Sequence, residues 1–370
     1  MKTRQVPVVL LLLAGISLLI AWSIGGRAPA STDTATSLEA PYGRLGPARQ
    51  PRPGARAAAA PNPLAESIPG TWVPKLLVDH NDWKDAYAKL DGLTSVGPAE
   101  RLFYKALILD VCSLYPKAVQ GEDPELIAAI RDGRVEEYGA RLTASMKDPL
   151  HKAAVVYNLR RKIAYACKDF SPMPISQADI ARAYSEAADA GDLKAQARLL
   201  HFRQAETAMA HLEKKDVIPS GFSDPLTPVE RDLLVATLFT GDPIAIRVAS
   251  QALSLGTPGQ SLRFGPDHVD LGEHAEEIWT LVACQFGLEC GARNMTVTNE
   301  CARLGQCADD FAGYLSRYAM SPAEFAFAWR TSQAIAEAIR TRNDAAFQLV
   351  AKPGGLITSL GSYPPPVAIR

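Results

Sequence analysis

From about Trp72 to Val350 the apolar residues recur at three- and four-residue steps. Phe325, Trp329, Ser332, Ala336 and Ile339 form one such line, and Ala195, Leu199, Phe202 and Met209 form another. This spacing places a stripe on one face of an α-helix. Tyr104, Ile108 and Cys112 share a face in the same way, as do Val156, Leu159, Ile163 and Cys167. No run of alternating β-branched residues interrupts the pattern, so the expected fold class is all-α.

Helix starts are marked by capping residues ahead of prolines: Asp148-Pro149, Thr227-Pro228, Asp242-Pro243 and Ser321-Pro322. The cap side chain accepts from a first-turn N–H, and proline at the first helical position lacks that donor. Glu230 and Glu324 complete capping boxes with Thr227 and Ser321.

The ends of the chain read differently. An apolar segment covers residues 6–24, preceded by Lys2 and Arg4, which predict a cytoplasmic N-terminus and place the rest outside the membrane. Two outcomes stay open: a retained anchor in the inner membrane, or a signal peptide cleaved near Ala28-Pro29-Ala30. Residues 1–30 are therefore assigned to targeting or anchoring. Residues 31–70, rich in Pro and Ala, have little to bury and are expected to form a disordered tether. The helical domain is expected over 71–352, followed by an irregular tail over 353–370.

Between Tyr184 and Leu200 the run Ala187-Ala188-Asp189-Ala190-Gly191-Asp192 resembles the helix–helix turn of Sel-like, tetratricopeptide-type repeats. A looser copy occurs at Thr240-Gly241-Asp242-Pro243 and a fainter one at Arg342-Asn343-Asp344. The resemblance implies an irregular stack of antiparallel helical hairpins and a scaffold or adaptor role. The gap from Gly191 to Gly241 exceeds a regular repeat of this class, which argues against a uniform solenoid. The stretch Trp279-Thr280-Leu281-Val282-Ala283-Cys284 with its following cysteines is also similar to exported helical proteins of Gram-negative bacteria, and implies the same architecture without a catalytic residue.

Composition narrows the function classes. With 39 basic and 40 acidic residues the chain lacks the cationic surplus that nucleic-acid binding needs, so no nucleic-acid partner is expected. The six cysteines, Cys112, Cys167, Cys284, Cys290, Cys301 and Cys307, follow an export signal and are expected to form disulfides in the periplasm. The five-residue gaps within the last four depart from the tighter pairs that structural zinc sites use. Cys112 and Cys167 are expected to pair, the alternative being two buried thiols. If the helices carrying Cys284 and Cys301 are antiparallel neighbours, those two meet and Cys290 is left for Cys307; the other two connectivities stay open.

Among His80, His151, His201, His211, His268 and His274, only His268 and His274 lie in a dense polar cluster, with Asp267, Asp270 and Glu273. Their spacing of six does not match a helical zinc pair, which needs four, and a capped helix start accounts for the acids as well. No cofactor-binding fingerprint occurs and no cofactor is expected. The expected function is an exported scaffold binding a protein partner of the cell envelope. An enzyme acting on envelope polymer and a membrane-anchored periplasmic chaperone are the alternatives.

Overall fold

Helices dominate the structure because their starts are capped and their apolar faces meet. The computed structural model describes residues 82–170, 175–214, 226–255, 260–264, 269–271 and 274–351, all within one compact unit, 64–370. The N-terminal apolar segment, the tether and the C-terminal tail lie outside the described residues. So do Trp72, His80, Asp267, His268 and Glu273, and the side chains of Met209, His211 and Asp270.

The helices are α1 (Trp83–Lys89), α2 (Pro98–Cys112), α3 (Tyr115–Gly121), α4 (Pro124–Arg131), α5 (Val135–Leu142), α6 (Pro149–Arg161), α7 (Ile163–Ala166) and α8 (Gln177–Asp189). They continue as α9 (Leu193–Lys214), α10 (Pro228–Leu238), α11 (Pro243–Leu255), α12 (Ala275–Cys284), α13 (Met295–Leu304), α14 (Phe311–Tyr314) and α15 (Pro322–Arg340). All four anticipated caps are made. Asp148 accepts from the Leu150 N–H at 2.9 Å, and Asp242 accepts from Ile244 at 2.7 Å and Ala245 at 3.2 Å. The Thr227–Glu230 and Ser321–Glu324 boxes both close, and a third box, Ser176–Asp179, opens α8.

Two cores form. The larger packs α2 against α8, α9 against α8, α10 and α11, and α12 between α11 and α15, with Trp279, Tyr104, Tyr184 and Phe103 fully buried. The smaller gathers Leu126, Ile130, Val135, Val155, Leu159 and Ala164 from α4 to α7. The disulfide Cys112–Cys167 ties the end of α2, in the larger core, to the residue following α7. The stripe Val156–Cys167 is broken at Lys162, where α6 gives way to α7. Trp329 stands partly exposed at the rim, stacked on Phe325, while Ser332, Ala336 and Ile339 of the same stripe are buried.

A small antiparallel sheet departs from the purely helical expectation. Strands β1 (Gln260–Phe264), β2 (Val269–Asp270) and β3 (Phe347–Ala351) lie in the order β2-β1-β3, with Leu262 opposite Leu349. These strands contain only two β-branched residues, Val269 and Val350, so they carry little of the composition that marks a strand. The sheet is pinned to α10, because Arg231 donates to the carbonyls of Phe347 and Asp344, and Phe347 packs edge-on against Phe239. The turn at Arg342-Asn343-Asp344 consequently leads into a 3₁₀ turn and β3, not into a further helix.

Candidate functional site

The residues with the most concentrated polar chemistry lie inside the helical hairpins, along α9. The turn before α9 has the predicted form. Gly191 takes φ +93°, the Asp192 N–H bonds the Ala187 carbonyl at 3.0 Å, and the Gly191 N–H bonds Ala188 at 2.9 Å. This is the Schellman arrangement that closes a helix. Asp192 then caps α9 through the Ala195 N–H at 2.9 Å. The Gly241-Asp242 turn between α10 and α11 follows the plan in part: Gly241 lies at φ +69° and its N–H bonds the Leu238 carbonyl at 3.1 Å, while the Asp242 N–H bonds the Thr240 hydroxyl at 3.2 Å.

Lys194 joins the two turns. Its ammonium lies 2.9 Å from Asp242, 3.2 Å from Glu100 and 3.7 Å from Asp192, and the residue is almost wholly buried. Burial alone would lower the Lys194 pKa, but the three carboxylates outweigh it and raise it. Asp192 is shifted upward by burial, with Asp242 adding and Lys194 opposing. The buried Tyr104 hydroxyl beside them has no protein partner, and burial followed by the nearby carboxylates holds its pKa well above the usual value.

One turn further along α9, Arg198 donates to Asp110 of α2 at 2.8 Å and to Gln251 of α11 at 3.0 Å. Tyr184 donates to the same Asp110 oxygen at 3.2 Å. Lys194 with Asp242 and Arg198 with Gln251 advance together along both helices, so α9 and α11 run in the same direction. His201 is 2 % exposed, and burial followed by the Arg198 charge lowers its pKa to about 3. A hydrogen bond with the Gln251 main chain opposes that shift. Next on this face comes Gln204, 5 % exposed.

The cysteines are all paired: Cys112–Cys167, Cys284–Cys290 and Cys301–Cys307. Of the connectivities left open for the last four, the structure shows the sequential one, and the conditional pairing of Cys284 with Cys301 and of Cys290 with Cys307 does not occur. The premise fails because α12 packs between α11 and α15 whereas the main partner of α13 is α6. Each short bridge instead spans a left-handed glycine, Gly287 at φ +98° or Gly305 at φ +69°, which turns the chain back over the helix end it has just left. Glycine between closely spaced cysteines was the sequence signal for local pairing. Disulfides of this kind fit an oxidising compartment.

His274 precedes α12, with Nε2 3.6 Å from the Glu324 carboxylate that closes the Ser321 box. Beside it Glu277 keeps a buried oxygen without a partner, and burial, then Glu276, raises its pKa. His151 lies 3.1 Å from the Ala302 carbonyl. Among the described residues no group of three His, Cys, Asp or Glu side chains is placed to hold a metal ion. A surface concavity of about 270 Å³ is lined by Asp123, Glu125, Tyr138, Arg141 and Leu142, and its polar side chains bond one another: Tyr138 to Asp123 at 2.7 Å, Arg141 to Glu125 at 3.4 Å. Arg198, Asp110 and Gln204 were not singled out in the sequence, since polar residues on an apolar face declare themselves only once the facing helix is known. Comparison with family models, curated proteins and solved structures finds no match to this chain.

Proposed function

We propose that the chain is an exported helical scaffold that binds a protein partner in the cell envelope, its N-terminal segment serving as signal or inner-membrane anchor. The observation that carries this reading is the joint between hairpins. Two units, α8–α9 and α10–α11, each turn on Gly-Asp, and their second helices run the same way, bonded through Lys194–Asp242 and Arg198–Gln251. Stacked helical pairs of this kind present extended surfaces suited to a protein partner. The Sel-like turn supports the same role, and the three disulfides suit a domain working outside the cytoplasm.

The test is cross-linking in intact envelopes followed by purification and sizing of the complex. A stoichiometric complex with one protein is the expected result. Turnover of purified envelope polymer by the isolated domain would overturn it. One observation favours the enzymatic alternative: Glu277, with its raised pKa and unpartnered oxygen, is the kind of carboxyl that a polymer-cleaving enzyme uses as a general acid. In that case Glu277→Gln abolishes turnover while leaving the fold intact.

A further inference from the structure

Helices α4 and α5 form a short antiparallel pair. The chain reverses at Gly133, which lies at φ +69°, and the Arg134 N–H bonds the Ala129 carbonyl at 2.7 Å. The end of α5 therefore returns beside the start of α4. Between them lies the concavity of about 270 Å³ lined by Asp123, Glu125, Tyr138, Arg141 and Leu142. Sites for drug-sized molecules enclose roughly 300–1,000 Å³, so the occupant of this one is small.

The lining divides into a fixed part and a free part. Asp123 is fixed: one oxygen accepts from the Glu125 N–H at 2.9 Å and the other from the Tyr138 hydroxyl at 2.7 Å. Glu125 and Arg141 are held more weakly. The hydrogen bond between them is long, 3.4 Å, and their side chains are 70 % and 69 % exposed. An ion pair so exposed adds little stability, and a ligand that offers each charge a better partner opens it. Arg141 shares a face of α5 with Tyr138 and Leu142, and its guanidinium lies 5.8 Å from the centre of the Tyr138 ring. Leu142 is 47 % exposed, so an apolar wall stands beside the two charges.

Charge and spacing select the occupant. A lone anion on Arg141 would face Asp123 and Glu125, and a lone cation on Glu125 would face Arg141. A ligand that carries both signs gains at both. Because Glu125 and Arg141 approach to 3.4 Å, the ligand's two charges have to be equally close together. An α-ammonium and an α-carboxylate, joined through one carbon, meet that condition, whereas the two ends of a peptide do not. The half-exposed Leu142 adds a preference for an apolar side chain on the same carbon.

We propose that the concavity between α4 and α5 binds a free α-amino acid with an apolar side chain, its carboxylate on Arg141, its ammonium on Glu125 and its side chain against Leu142 and the Tyr138 ring. The site takes no part in the hairpin joint at Lys194, so it stands apart from the partner-binding reading.

The test uses the full chain with its disulfides intact and follows binding of L-leucine by calorimetric titration. Leucinamide lacks the carboxylate, 4-methylpentanoate lacks the ammonium, and glycine lacks the side chain. Leucine is expected to saturate one site and to bind at least about tenfold more tightly than any of the three. Arg141→Gln and Glu125→Gln should each weaken leucine about tenfold or more and leave the circular dichroism unchanged, since both side chains stand largely in solvent. Absence of leucine binding overturns the proposal. So does equal or tighter binding of leucinamide or 4-methylpentanoate, or leucine binding that either variant retains in full. Should a variant fail to fold, the ligand series on the unaltered chain decides.

Discussion

Lys194 and Asp242 meet at 2.9 Å although each belongs to a different helical hairpin, and both residues are buried. Asp242 also caps α11, so one carboxylate starts a helix and docks it on the preceding pair. Asp242→Ala is expected to destabilise the domain by about 2–3 kcal/mol, from the lost cap and the weakened ion pair. Asp242→Asn keeps a capping oxygen and should cost less. Denaturant midpoints check this, and equal losses for the two substitutions would show that the cap adds nothing beyond the charge pairing.

Gly191 sits at φ +93°, where a Cβ is unfavourable although no atom crowds the position. Gly191→Ala should therefore cost about 1–2 kcal/mol through backbone strain alone. A thermal melt indistinguishable from the parent would contradict the left-handed turn.

The disulfides should differ in worth. Cys112–Cys167 spans 55 residues, whereas each of the other two spans 6. On the chain-entropy estimate, removing the long bridge costs about 4 kcal/mol and removing a short one about 2 kcal/mol. Paired Cys→Ala substitutions, compared by urea denaturation, test the ranking.

His201 predicts an acid-side loss of stability. Its folded pKa, about 3, lies below the ordinary value of 6.5. Between those limits the unfolded chain takes up a proton that the folded chain refuses. Stability from this group is thus complete above about pH 6.5 and falls as pH drops toward 3, by at most ~1.4 kcal/mol per pH unit. Unfolding free energies of the parent and His201→Leu, measured from neutral to acid pH, should diverge in slope by this amount; parallel curves would refute it.

His274 is held beside the capping carboxylate Glu324, so His274→Ala is expected to leave a scaffold's cellular function intact. Complementation of a deletion strain checks this. A stably folded His274→Ala protein that fails to complement would favour the enzymatic alternative.

The parts of this fold that were legible in the sequence are those governed by neighbours in the chain. Asp148, Thr227, Asp242 and Ser321 announce their helices because a cap needs only the next three residues. The Gly191-Asp192 turn is local for the same reason. What depends on distant segments was hidden. Whether Asp110 meets Arg198, 88 residues away, follows from α2 and α9 lying side by side, which no spacing reveals. The partner of Cys284 was left open for a related cause: it turns on which helices are neighbours, and it is the turn at Gly287 that brings Cys290 within reach.

Each of the three bridges joins a cysteine to the next one in the chain: first to second, third to fourth, fifth to sixth. In the export proposed above, the chain's thiols would emerge into the oxidising space in that same order. Oxidation that simply joins each newly arrived pair produces the native set, and no wrong bond has to be undone. Of the fifteen ways to pair six thiols, this is the one that sequential emergence selects, so a chain exported as proposed would have little need of a disulfide-reshuffling helper.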